Sequence, residues 1–181
     1  LERAVKDQNG KPGGVNLLLA QVYNRTEDYA KALEQLDLFF KSGQQKGRAP
    51  FVLLAALLEK LEKTDTLVER LEALVKKDPR NQDLRFFVAA TYVTVGRIDE
   101  AEQIYREALD DKATSEAYLG LASIYRQRGK AKELLDSLSH VLSRQQDLQA
   151  VAAQFAAEMK AIEKDEKLLK ALLEAGREAT S

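Results

Sequence analysis

The chain of 181 residues has no cysteine and no tryptophan, one histidine, one methionine, three prolines and nine glycines. Without cysteine there can be no disulfide, no thiolate metal site and no cysteine nucleophile. His140 has no second histidine and no cysteine to complete a catalytic or metal site, so a solvated or half-buried helical His is the simpler reading. Neither sign of charge is in excess. Lys and Arg number 28 against 29 Asp and Glu, for a formal net charge of −1, which removes any global electrostatic case for nucleic acid or an anionic membrane. No apolar run approaches the ~20 residues of a membrane span. The longest candidate, Pro50 to Leu58, stops at Glu59. No cofactor or metal is expected, and the compartment stays open, with a soluble, cytoplasmic location favoured.

What is present is a repeat of about 34 residues, a period that indicates a stacked array. The small residues Ala20, Ala55, Ala89, Ala122 and Ala156 follow one another at steps of 35, 34, 33 and 34. One residue before each sits Leu19, Leu54, Val88, Leu121 and Phe155, and three after come Tyr23, Leu58, Tyr92, Tyr125 and Met159. A second set of columns follows in each unit. Ala32, Leu67, Ala101, Leu134 and Leu168 form one, and Leu36, Leu71, Tyr105, Leu138 and Leu172 another. Phe39, Leu74, Ala108, Val141 and Ala175 form the third. Apolar spacings of 3 and 4 within segments predict helices. Gly96 and Gly129 break the pattern between the two halves of a unit, where a left-handed residue closes a helix at little steric cost. Glu27, Glu62 and Glu163 hold the same place elsewhere, so those turns are expected to close by other means. Asp99 and Glu102 have the spacing of an N-cap with its reciprocal partner.

Each unit is therefore expected to be a helix, a tight turn and a second helix. The expected boundaries are 13–47, 48–81, 82–114, 115–147 and 148–181, the last a degenerate repeat or capping helices. Stepping back 35 from Leu36 and Phe39 gives Leu1 and Ala4, so 1–12 is expected to hold the end of a truncated preceding repeat and a linker. A Leu-Glu cloning scar is the other reading of the first residues, and it leaves Ala4 and Val5 in register without a cause. Gly10-Lys11-Pro12-Gly13-Gly14 lacks the residue order of a phosphate loop and no strand precedes it, so it is read as linker.

The columns resemble the tetratricopeptide repeat family. The best match is Arg85 to Tyr92 followed by Gly96, Ala101, Tyr105 and Ala108, and the next is Tyr118 to Tyr125 followed by Gly129. Tyr23, Tyr29, Ala30 and Ala32 place the first unit, and Pro79 closes the second. The signature Trp is missing, and the usual Pro stands only at Pro79. The resemblance implies an all-α fold, a right-handed superhelix (α-solenoid) of antiparallel helix pairs. It also implies a protein–protein interaction scaffold, not an enzyme, whose first helices line a concave groove for a peptide or helix of a partner.

The groove-facing places would be Leu17, Gln21 and Asn24, then Val52, Ala56 and Glu59, then Phe86, Ala90 and Val93, then Leu119, Ser123 and Arg126. The two-carboxylate clamp of one family subtype needs cations and amides where this chain has Leu17, Val52, Phe86 and Leu119, so a largely apolar floor is expected instead. Packing against the adjacent helix is the rival reading of these four. Arg126 and Lys160 would favour an acidic end of the partner. The alternative function is self-association through apolar array ends, on Leu1, Val5, Leu168 and Leu172.

Overall fold

The computed structural model describes residues 14–43 and 47–180. Among the described residues every element is helical, with ten α-helices and one 3₁₀ turn at Thr64–Thr66. They run in consecutive pairs: α1 (Gly14–Arg25) with α2 (Tyr29–Lys41), then α3 (Ala49–Lys60) with α4 (Leu67–Lys77). Next come α5 (Gln82–Thr94) with α6 (Ile98–Asp111), α7 (Ser115–Gln127) with α8 (Ala131–Ser143), and α9 (Gln145–Glu163) with α10 (Glu166–Thr180). The expected helical stub with Leu1, Ala4 and Val5 lies outside the described residues. So does the expected linker, except Gly14, which opens α1. The helices divide into two compact units, Leu1–Val88 and Ala89–Ser181, with the boundary inside α5.

In the first unit Leu19, Ala20, Ala32, Leu36 and Phe39 are buried in the first pair, and Leu54, Leu57, Leu58, Leu71 and Leu74 in the second. The small residues let backbones approach, and the larger ones fill the space between helices. Phe40 of α2 stacks on Phe51 of α3 with ring centroids 5.9 Å apart, and Phe51 lies 6.0 Å from Phe87. This aromatic run ties one pair to the next. Asn16 is fully buried without being orphaned, because its side-chain amide donates to Gln35 at 2.9 Å.

In the second unit α6 and α7 approach closely at Gly120. A Cβ added at Gly120 would run into the Tyr105 ring, so only glycine leaves room for that buried aromatic. Ala101, Ala108, Ala122, Ile124, Leu134 and Val141 complete this core. The first helix of the fifth pair departs from the expected register, whereas Leu168 and Ala175 of its second helix are buried in theirs. Ala156 and Met159, placed in the small and aromatic columns, are exposed, while Val151 and Ile162 are buried. The helix α9 is 19 residues long and turns a different stripe inward, so the sequence columns lose their meaning there.

The turns inside the first four pairs share one geometry. Glu27, Glu62, Gly96 and Gly129 all have positive φ, at 60°, 56°, 82° and 64°. In each, the next N–H bonds back along the chain: Asp28 to Tyr23 O, Lys63 to Leu58 O, Arg97 to Tyr92 O and Lys130 to Tyr125 O, at 2.8–2.9 Å. The Arg97 guanidinium then lies 4.0 Å over the Tyr92 ring, and the Lys130 ammonium sits over Tyr125. The two glutamates thus close their turns in the same way as the glycines. The expectation of a different closure fails at these two positions, because the bonding pattern holds a Cβ-bearing residue in the left-handed region. After α9 the closure does differ. Lys164 is right-handed, Asp165 N–H donates to Ile162 O at 3.0 Å, and the Asp165 carboxylate caps α10 at Leu168 N–H. Asp99 is not an N-cap. Helix α6 starts two residues earlier than that, at Ile98 with Arg97 at the cap, which places Asp99 inside the first turn.

Left-handed backbone costs a Cβ-bearing residue about 1 kcal/mol. Glu62→Gly should therefore raise the unfolding free energy by up to about 1 kcal/mol, and Gly96→Ala should lower it by about 1 kcal/mol. A Cβ at Gly96 meets nothing within 4 Å, so that loss reports backbone strain alone. Urea unfolding followed by circular dichroism measures both.

Candidate protein-binding faces

Two of the twelve expected groove residues are closed to a partner. Phe86 and Leu119 are each only 1% exposed, so their side chains offer nothing to a partner. The packing reading holds for these two. Val52 is 53% exposed, while Ala56 and Glu59, one and two turns further along α3, are also exposed. On α1, Gln21 is exposed while Leu17 and Asn24 are half-buried. On the remaining first helices Ala90 is exposed, and Val93 and Ser123 are half-buried. Arg126 is half-buried, and its charge is already engaged, with Nε donating to Glu158 of α9 at 2.7 Å. Its expected role towards an acidic partner is thereby taken up inside the fold. Lys160 is exposed.

A polar network joins α6 to α7 and was not legible in the columns. Glu102 accepts from Arg106 Nε at 2.8 Å and pairs with Arg128, which also pairs with Asp99. The Tyr125 hydroxyl accepts from Arg106 at 3.0 Å. Burial works against a charged Glu102, but the hydrogen bonds from Arg106 and Arg128 outweigh it and hold the carboxyl below the usual range. Burial pushes the Tyr125 hydroxyl up, so it stays neutral.

The second helices leave furrows where one meets the next. One of about 310 Å³ lies between α2 and α4, floored by Leu54 of α3 and crossed by the pair Arg70–Asp37 at 3.0 Å. Others lie between α6 and α8, of about 410 Å³, and between α8 and α10, of about 390 Å³. The last is crossed by Lys132–Glu178 at 2.7 Å. The apolar columns give no sign of these faces. Opposite charges 33 residues apart, as at Asp37 and Arg70, were the available signal. Tyr118 stacks on the single histidine, His140, with centroids 4.5 Å apart, in keeping with a half-buried structural His. Among the described residues no group of three or more His, Asp or Glu is placed to hold a metal ion, and no helix is long and apolar enough to cross a membrane.

A tetratricopeptide repeat family model matches residues 68–125. Over that stretch the chain is similar to the tetratricopeptide repeat family. That match runs from α4 into α7 and contains the third unit and most of the first helix of the fourth. A similar solved structure is TTC0263, a thermophilic tetratricopeptide repeat protein of Thermus thermophilus. It is 21% identical, with 87% of this chain and 86% of that one covered and a TM-score of 0.59. MamA (AMB-1) is 18% identical over 90% of this chain and 89% of its own, with a TM-score of 0.51. At these identities the likeness is one of fold. No curated protein sequence matches. Asp99, Glu102, Arg106 and Tyr125 of the polar network lie within the matched stretch, and the network contributes to stability with a defined sign.

The Glu102 carboxyl is depressed in the folded state, so its contribution is fully present above the unfolded value of about 4.3 and is lost as pH falls through the lower folded value. Glu102→Gln should cost about 1–2 kcal/mol at neutral pH, the low end for hydrogen bonds to a charged group because Arg106 is well exposed. The difference from wild type should shrink below about pH 4. Thermal melts of both proteins across the acid range test this.

Proposed function

We propose that the chain is a protein-binding scaffold that takes a peptide or helical segment of a partner on the face of its first helices. The observation that carries this reading is α3. Val52, Ala56 and Glu59 form an exposed stripe at intervals of four and three, which suits an apolar contact edged by charge. The family's general role in holding other proteins supports it. Phe86 and Leu119 are left out of the contact surface, which makes the proposed floor smaller than four anchors. Burying one side chain of the size of Val52 contributes roughly 1.5 kcal/mol or somewhat more before ordering costs.

A second reading is self-association through apolar helix faces. Its support is the exposure of Leu18 at 50% and Val22 at 38% on α1, and of Leu169 at 37% and Leu173 at 56% on α10. Those residues replace the ones expected from the columns. Leu168 is buried and Leu172 half-buried, while Leu1 and Val5 lie outside the described residues.

Val52→Glu and Leu173→Glu separate the two. Both sites are exposed, so both variants should keep wild-type helicity and melting behaviour. In a pull-down from the native source, Val52→Glu should lose partner proteins and leave the sedimentation coefficient unchanged. Unaltered capture by Val52→Glu, with loss of association in Leu173→Glu, would overturn the first-helix reading.

A further inference from the structure

We propose that the furrow between α2 and α4, on the side of the second helices, is a separate docking site for a short acidic segment of a partner protein that carries one or two apolar side chains. The floor is apolar, made by Phe40, Leu54 and Leu74. Its rim carries Lys41, Arg70 and Lys77 against a single carboxylate, Asp37. Arg70 and Asp37 pair with each other across the furrow. What remains is Lys41 and Lys77, both exposed and without an ion pair among the described residues.

The other two furrows are built the same way and carry a different balance. Between α8 and α10, Lys132 is matched by Glu178, and the remaining charge is Asp136. Between α6 and α8, Arg106 and Lys132 stand with Glu133 and Asp136. Of these three furrows only the one between α2 and α4 has a positive surplus over an apolar floor, so the surplus does not follow simply from how second helices meet. Its volume of about 310 Å³ lies at the lower end for ligand sites, which suits one or two side chains, not a folded surface. A carboxylate on either side of those side chains would meet an ammonium group that has no ion pair to break, so only hydration must be given up. The bland role for Lys41 and Lys77 is to offset the helix dipole, since both stand in the last turn of a helix. That role requires no ligand and makes no difference to binding.

The test uses the full chain and a fluorescein-labelled peptide with two central leucines flanked by glutamates, beside its all-glutamine counterpart. The expected result is saturable binding of the glutamate peptide that weakens with added salt, and at least about tenfold weaker binding of the glutamine peptide. Lys41→Glu/Lys77→Glu should abolish binding. Lys60→Glu/Lys63→Glu carries the same charge change on exposed residues of the same unit and should bind as wild type does. Melting curves establish that both variants fold. Val52→Glu should also leave this binding intact, so failure of the first-helix reading and failure of this one are distinguishable. Three results would each overturn the proposal: no saturable binding, equal loss in both double variants, or capture of phosphatidylserine vesicles or oligonucleotides by Lys41 and Lys77 in place of the peptide.

Discussion

The constraint on which the rest of the structure depends is the contact between the second helix of one pair and the first helix of the next. A single helix pair has apolar residues on more than one side and cannot bury them alone. In the second unit this contact is close where the Tyr105 ring occupies the space that any side chain at Gly120 would need. In the first unit the same job falls to Phe40 stacked on Phe51. One solution is a large residue over no side chain, the other two aromatic faces in parallel. Both remove apolar area from water while keeping neighbouring helices in register.

Polar groups are arranged around these contacts and not in place of them. The Tyr125 hydroxyl, the Arg106 and Arg128 guanidinium groups and the Glu102 carboxylate form one connected set beside the α6–α7 contact. Each is provided with a partner, so the contact can reach a partly wet edge without an orphaned charge. Arg126 and Glu158 do the same between α7 and α9. The consequence for function is that several charges that look available in sequence are already engaged. The proposed partner surfaces lie where apolar or charged groups are exposed, at Val52 and at Lys41 and Lys77.

The helices and their pairing were legible because small and aromatic residues recur at a near-constant step, and burial of Ala20, Ala32, Ala89, Ala101 and Ala122 follows that step. The groove was less legible. A first helix is covered on several sides, so its apolar stripe is wide, and periodicity cannot tell which edge of the stripe faces solvent. That is why Val52 and Phe86, one repeat step apart, end at opposite extremes of exposure. Glu27 and Glu62 were unreadable as left-handed residues because the bonds that hold them come from backbone, not from residue type. In α9 the extra length rotates the buried stripe, so Val151 and Ile162 take the places expected for Ala156 and Met159. Cross-helix pairs such as Arg126–Glu158 are 32 residues apart and require the fold itself.

If stability resides in these contacts between pairs, a double-mutant cycle on Tyr105 and Gly120 tests it most directly. Glycine inside a helix is intrinsically unfavourable, so Gly120→Ala would gain about 1 kcal/mol if the neighbour did not matter. With Tyr105 present the expected sign is the opposite, a loss of about 1–3 kcal/mol from overpacking. In a Tyr105→Ala background the same substitution should become neutral or stabilising, giving a coupling energy of about 1 kcal/mol or more. Additive effects, with Gly120→Ala equally harmless in both backgrounds, would contradict the claim that this contact carries the fold.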